Sequence, residues 1–316
     1  MIVQGGRSDP TGGYTYSSAP LIDETLVLLL QNDFDLETSP WELADGVRQG
    51  VAWHSTGYLE EDSGNGYLVS FGGDGGPTLP VQTNNDSLGL SFITGPDMVA
   101  VDVSGSGQPM RRWYPSSGSI DKKSWLMSGG LKGDGSGLGF NDVYSVTLTA
   151  NNVDFQLEGS LPTDLAGHST LVLPDGTVWL VGGWIPSSGQ FLTLDKAYSR
   201  SPGGSDWAVK DLTSTATAVP LARRGSSLVL VSASKAILYG GSTSVSTAAV
   251  DSSSVLGDMW ELDLELGLWS SLLVGQSSNN VSKRAAVVGP GERFEHAAVG
   301  VDGKVLIFGG ESRWKH

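Results

Sequence analysis

Short apolar runs that stop at a glycine pair dominate the pattern of this chain. "KVLIFGGE" at Lys304–Glu311 is one, and the same shape recurs as "GYLVSFGGD", "SWLMSGGL", "TVWLVGGW", "KAILYGGS" and a clipped "MIVQGG" at Met1–Gly6. The doublets fall at 5–6, 72–73, 129–130, 182–183, 240–241 and 309–310, spaced 53 to 69 residues apart. Recurrence on that scale marks a repeat architecture. Upstream of the doublet lies a second apolar run and then a tight turn, as in "HSTLVLPDGTVWLVGG" and "HAAVGVDGKVLIFGG". Asp-Gly between two apolar runs predicts a β-hairpin.

Downstream, a polar loop of variable length leads to a third run and then a fourth. "LGDMWELDLELGLWSSLL" at Leu256–Leu273 is the clearest, with related pieces starting at Asn141 and Asp195. Each unit therefore reads as four antiparallel strands, a to d, with Gly-Gly closing strand b. Four-stranded units repeated in series predict a radial all-β fold, the β-propeller. The aromatics Trp41, Trp113, Trp207 and Trp269, with Phe155 in the same slot, are read as packing residues of strand d.

These units resemble kelch repeats. The matching features are the apolar run before Gly-Gly, the Asn/Gly-Asp-x-aromatic opening of strand c, and the Trp of strand d. "GDMWELDLELGLW" fits almost residue for residue, and Arg293-Phe294-Glu295-His296 matches the Arg-x-x-His that opens strand a in that family. The first unit, "LLLQNDFDLETSPWEL" at Leu28–Leu43, resembles kelch proteins of fungal type. The expectation is a single kelch-type propeller domain over residues 1–316, with about six repeats and incomplete at both ends. The chain opens on a strand b and closes just after one, which suggests a piece of a longer propeller. Two departures stand out. "DMVAVDV", read as strand c of the second unit, has Val99 where an aromatic is usual. Too few residues separate Trp113 from "SWLMSGG" for a full strand a.

Composition agrees with a turn-rich β protein: 44 glycines among 316 residues and 17% charged residues. The net charge of −15 disfavours nucleic acid and anionic membrane as partners. With no cysteine, disulfides, thiolate metal sites and thiol nucleophiles are excluded. The most apolar run, Thr25–Leu30, is far short of the roughly 18 residues of a membrane span. Met1 leads directly into a strand, without the basic start and apolar core of a signal peptide. The doublets are read as architectural, because no G-x-x-x-x-G-K-[ST] or G-x-G-x-x-G phosphate motif accompanies them.

Candidate chemistry is sparse. His168 and His296 occupy one repeat position and read as packing residues, and no H-x-x-x-H or G-x-S-x-G motif occurs. Kelch-like copper oxidases resembling galactose oxidase need a Tyr–Cys cofactor that this chain cannot form. No catalytic, cofactor-binding or metal-binding residue is therefore assigned, and no cofactor is expected. The long b–c loops and the d–a connections share one face, and variable loops on a rigid scaffold are where function concentrates. That face is expected to present Trp184 and the basic pairs Arg111-Arg112 and Arg223-Arg224 to a protein or glycan partner. The alternative is an enzyme whose site lies at the mouth of the propeller channel. Asn85 and Asn280 head Asn-x-Ser sequons, so an extracellular or cell-surface domain of a longer protein is expected, with a cytoplasmic scaffold as the alternative.

Overall fold

The computed structural model describes residues 1–7, 19–28, 41–44, 50–60, 66–74, 88–94, 97–101, 104–107, 109–149, 152–246, 250, 252–273 and 291–312. The chain forms two compact units, 1–166 and 167–316.

In the first unit, β1 (Ile2–Gln4), β2 (Thr25–Leu28) and β3 (Trp41–Leu43) make a three-stranded antiparallel sheet, strands b, c and d of blade 1. Blade 2 is four-stranded: β4 (Ser55–Glu60), β5 (Gly66–Phe71), β6 (Leu88–Thr94) and β7 (Asp97–Val101), in that order. Next come β8 (Ser104–Ser106), β9 (Arg112–Trp113), β10 (Ser116–Ser119), β11 (Ser124–Ser128), β12 (Leu131–Lys132), β13 (Asp142–Thr149) and β14 (Asn152–Ser160). Blade 3 is β10–β11–β13–β14 with β8 added in parallel on its outer edge, while β9 pairs with β12.

Two strand assignments from the sequence are corrected here. Asp97–Val101 pairs with β6, not with β5, and so is strand d rather than strand c of blade 2. Strand a of blade 3 is present as Ser116–Ser119, and Trp113 lies in the connection before it rather than in strand d. That strand escapes a hydrophobicity reading because it is Ser-Ser-Gly-Ser. Its neighbour β11 supplies the core instead, through the buried Trp125, Leu126 and Met127.

In the second unit, β15 (Ser169–Val172), β16 (Val178–Val181), β17 (Trp184–Ile185), β18 (Gln190–Phe191), β19 (Lys196–Arg200) and β20 (Trp207–Asp211) make up blade 4, whose sheet order is β15–β16–β19–β20. The small hairpin β17–β18 is its b–c loop. Blade 5 comprises β21 (Thr213–Ser214), β22 (Ser227–Leu230), β23 (Lys235–Tyr239), β24 (Met259–Asp263) and β25 (Leu268–Leu273), with β21 parallel to β25 on the outer edge. Strands a and b of blade 6 follow, with β26 (Arg293–Phe294) ahead of β27 (Ala297–Val301) and β28 (Lys304–Phe308), and β29 (Glu311–Ser312) pairing back to β26. Blades 2 to 5 are thus complete four-stranded antiparallel sheets.

The cores lie between successive blades. In the first unit Leu59, Val69 and Phe71 of blade 2 pack against Trp125, Met127, Val146 and Phe155 of blade 3, with the Phe71 and Phe155 rings 5.0 Å apart. Gly57 of β4 makes room for this. A Cβ there would lie 1.8 Å from the Trp125 ring, so only glycine lets the buried indole lie against the strand. In the second unit Trp179, Val181, Leu238, Trp260, Leu262 and Trp269 form the equivalent layer, and the fully buried Trp269 donates its indole N–H to the Leu194 carbonyl at 2.9 Å. Burying indoles of this size dominates the packing energy of such interfaces.

The doublets hold neighbouring blades together. In the first five pairs the second glycine donates its N–H to a carbonyl at the entrance of the next blade: Gly6 to Val51 at 2.7 Å, then Gly73 to Arg112, Gly130 to Leu165, Gly183 to Arg223 and Gly241 to Arg293, each at 2.8 Å. The first glycine has a positive φ, for example 76° at Gly72 and 63° at Gly240. A Cβ on Gly72 would sit 2.6 Å from the Arg112 carbonyl oxygen, and one on Gly240 2.3 Å from that of Arg293. Left-handed backbone and close carbonyl approach together require glycine.

Candidate functional site: the b–c loop and d–a corner edge

The corner that enters strand a recurs five times: Val51-Ala52-Trp53-His54, Arg112-Trp113-Tyr114-Pro115, Leu165-Ala166-Gly167-His168, Arg223-Arg224-Gly225-Ser226 and Arg293-Phe294-Glu295-His296. Its third residue is left-handed in every copy, with φ of 59°, 55°, 60°, 60° and 53°. Three copies place Trp53, Tyr114 or Glu295 there, at a cost of order 1–3 kcal/mol each. The side chains at this position meet one another. Trp53 stacks on Tyr114 at 5.0 Å, while a Cβ on Gly225 would lie 2.9 Å from the Glu295 side chain.

In blades 3 and 5, where the corner opens on Arg112 and Arg223, the arginine forms a clamp. Arg223 donates from Nε to the Leu221 carbonyl at 2.8 Å, from Nη1 to the Gly240 carbonyl at 2.9 Å, and bidentately to Asp258, with Nη2–Oδ2 at 2.8 Å. Arg112 repeats this with the Met110 carbonyl, the Gly129 carbonyl and Asp142. One guanidinium thus ties the corner, the doublet of the same blade and the first residues of strand c. Burial pushes the Asp258 carboxyl up, but the hydrogen bond and charge of Arg223, with the Trp260 N–H, outweigh it and hold the carboxyl below its usual range. Both clamped strands c carry a register shift directly after the aspartate, at Val143/Tyr144 and Met259/Trp260.

This geometry corrects the expectation of solvent-facing cations. Arg112, Arg223 and Arg224 are fully buried, as is nearly all of Trp184. Arg224 turns away from Arg223: it pairs with Glu295, donates to the Ser244 and Ser246 carbonyls at 2.8 and 2.7 Å, and lies over the Trp184 ring at 5.2 Å and the Phe294 ring at 5.6 Å. These groups build the frame, because a guanidinium ringed by carbonyls, a carboxylate and aromatic faces is satisfied inside the protein. Arg111 is half-buried and donates to the Gly73 carbonyl at 2.8 Å. Asn85 and Asn280 lie outside the described residues, as does most of the fungal-type stretch at 28–43.

The sequence reading missed the acids of the frame. Asp142 and Asp258 were legible only as part of the strand-c opening, and Glu295 only as a filler in Arg-x-x-His. It also missed Arg7, which pairs with Asp74 and lies over Trp53 at 4.8 Å. His54 is a third copy of the His168 and His296 position, and all three rings are held neutral. Burial lowers the pKa of His54 to about 4 and of His168 to about 3; burial and the Arg293 charge lower that of His296 to about 3. His296 Nε2 lies 2.8 Å from Ser227 Oγ of the preceding blade, a packing bond between neighbouring corners.

What this edge leaves to solvent is mostly small, polar and apolar. Met110 and Leu221, each two positions before its clamp arginine, are 49% and 62% exposed, and the tips Asp134–Leu138 and Ser187–Gln190 are exposed throughout. Among the described residues, no group of three His, Cys, Asp or Glu is placed to hold a metal, and no helix is long and apolar enough to cross a membrane.

No family model matches the chain. Among curated proteins it is similar to Adagio-like protein 1 of Oryza sativa subsp. japonica, 28% identical over 261 residues, which cover 79% of this chain and 38% of that protein. Putative adagio-like protein 2 of the same organism is 27% identical over 257 residues, 79% of this chain and 37% of that protein. The chain therefore spans less than two-fifths of the length of these relatives. Among solved structures it is similar to that of YjhT, with a TM-score of 0.54 and 16% identity over 82% of this chain and 72% of that one, a likeness of fold. The fold is a β-propeller of antiparallel blades. Its repeats are of kelch type, the glycine doublets and clamped corners forming the blade-to-blade joints.

Proposed function

We propose that this chain is a non-catalytic interaction module, which offers its b–c loops and d–a corners to a protein or glycan partner. The observation that carries the reading is the division of labour along that edge. Arg112, Arg223 and Arg224 are spent on a rigid internal frame, while exposed loop tips of unlike sequence, together with Met110 and Leu221, are left for contact. Loops held by a stiff scaffold can vary in sequence without loss of the fold. The sequons at Asn85 and Asn280 support a domain that works outside the cell or at its surface.

The test replaces Asp134–Leu138 and Ser187–Gln190 by Gly-Ser of equal length, with Met110→Ser and Leu221→Ser, and compares capture from extracts of the native host and binding to a glycan array. Partners or glycans retained by the parent and lost by loop variants of equal melting temperature support the reading. Identical capture by parent and variants overturns it. Mass spectrometry of Asn85 and Asn280 tests the compartment, and two unmodified asparagines on protein from the native host count against an exterior domain.

A further inference from the structure

Two of the joints between blades carry a second fastening, at the outer edge of the sheet. After strand d of blade 2, Ser104–Ser106 runs parallel to strand d of blade 3, opposite Asn152, Val153 and Asp154. After strand d of blade 4, Thr213 and Ser214 run parallel to strand d of blade 5, opposite Leu268 and Trp269. There the Thr213 N–H donates to the Gly267 carbonyl and the Thr215 N–H to the Trp269 carbonyl, both at 2.9 Å. On blade 3 the left-handed Gly107 lies so close that a Cβ on it would sit 2.3 Å from the Phe155 carbonyl oxygen. Each strap thus grips the far blade at an aromatic that the near blade meets directly: Phe71 packs on Phe155, and the Leu194 carbonyl accepts from Trp269. The second strap is also anchored in the blade it leaves, since the buried Leu212 donates its N–H to the Asp195 carbonyl at 2.7 Å.

The connection from blade 3 to blade 4 is built otherwise. It runs only from Ser160 to Leu165, whereas the strapped connections run from Val101 to Arg112 and from Asp211 to Arg223. It also stays on the blade it leaves: the Leu161 N–H donates to the Asn141 carbonyl and the Leu165 N–H to the Phe140 carbonyl. Among the described residues no strap lies on blade 4, whose sheet ends at β20. The two compact units of the chain, 1–166 and 167–316, divide directly after this connection.

We propose that the straps make blades 2 and 3 one cooperative unit and blades 4 and 5 another, so that the blades of a strapped pair open together while the two pairs open independently. The reason lies in the main chain. Peeling β20 from blade 4 drags Leu212–Thr215 off blade 5, and peeling β25 from blade 5 removes the acceptors of the strap. Neither outer strand is released without breaking hydrogen bonds of the other, which is how neighbouring elements come to open as one. A ligand that binds only the folded state stabilises whatever opens with its site. A partner held by Ser187–Gln190 of blade 4 would therefore protect blade 5 as well.

Native-state hydrogen exchange of the whole chain in low denaturant, read on peptides covering β5, β11, β16 and β23, tests this. Ile237→Val is a mild perturbation of blade 5. Ile237 lies two residues from Tyr239 in the same strand, and Tyr239 meets the His296 ring of blade 6, so Ile237 faces away from blade 4. The change should speed exchange in β23 about fivefold and in β16 by the same factor, with β5 and β11 unchanged. Thr213→Pro with Thr215→Pro removes both strap donors. In that background β16 should fall behind β23 by about tenfold, the effect of one or two lost hydrogen bonds. An unchanged β16 in Ile237→Val, or an equal response in β5 and β11, overturns the proposal even if the proline variant fails to fold. So does exchange of β16 and β23 that stays in step once the strap donors are gone.

Discussion

Arg223 and Asp258 are 35 residues apart and meet as a bidentate pair in which the arginine side chain is fully enclosed and the aspartate is 16% exposed. Arg112 and Asp142 repeat the pair in blade 3. At the same two positions of its repeat blade 4 has Leu165 and Lys196, an uncharged residue and an exposed lysine. Among blades 3, 4 and 5 the clamp is thus a matched set: the arginine occurs where strand c opens on aspartate.

Arg223→Leu alone should therefore be costly, because it strands the Asp258 carboxylate and leaves the Gly240 and Leu221 carbonyls without their donor. Removing one member of a buried pair costs about 3–5 kcal/mol. The double variant Arg223→Leu with Asp258→Lys copies the blade 4 solution and should recover part of that loss. Chemical denaturation of both variants measures this, and a double variant less stable than the single one would rule out the matched-set account.

Gly240 and Gly309 have nearly the same left-handed φ, 63° and 68°, but different surroundings. A Cβ on Gly240 would lie 2.3 Å from the Arg293 carbonyl oxygen, whereas nothing lies within 4 Å of one on Gly309. Gly309→Ala should cost only the backbone term, about 1–2 kcal/mol. Gly240→Ala adds a main-chain clash and should cost clearly more. Equal shifts in the denaturation midpoint would mean that the joint between blades does not depend on that close approach.

The three corner histidines predict acid sensitivity. His54, His168 and His296 are neutral in the fold, with pKa values lowered to about 4, 3 and 3, against about 6.5 in an unfolded chain. Between those limits the unfolded state binds more protons, so stability rises with pH and levels off above about 6.5. On acidification from pH 7 to 4 each ring contributes a loss of up to about 1.4 kcal/mol per pH unit. The lowered pKa of Asp258 acts in the same direction, at still lower pH. Thermal melts from pH 4 to 8 should show this slope, and His168→Phe should flatten it. An unchanged slope in that variant would assign the acid sensitivity to the carboxylates instead.

The sequence by itself determined the repeat, the place of each strand b and the need for its closing glycines. It could do so because an apolar run that ends in a left-handed turn has few residue solutions, and the chain repeats its own. It also marked the strand-c aspartates and the Arg-x-x-His corner as regular features. Only the tertiary structure decided what those features are for. Arg112, Arg223 and Arg224 look like surface charge in a linear reading, since their partners Asp142, Asp258 and Glu295 lie 30, 35 and 71 residues away. Whether an arginine is solvated or clamped depends on whether a carboxylate and free carbonyls converge on it, and that is a property of the assembled blade. The same holds for Ser116–Ser119 and the short strands Ser104–Ser106 and Thr213–Ser214. They carry no hydrophobic signature, because their strand character comes from the main-chain partners that neighbouring strands offer them.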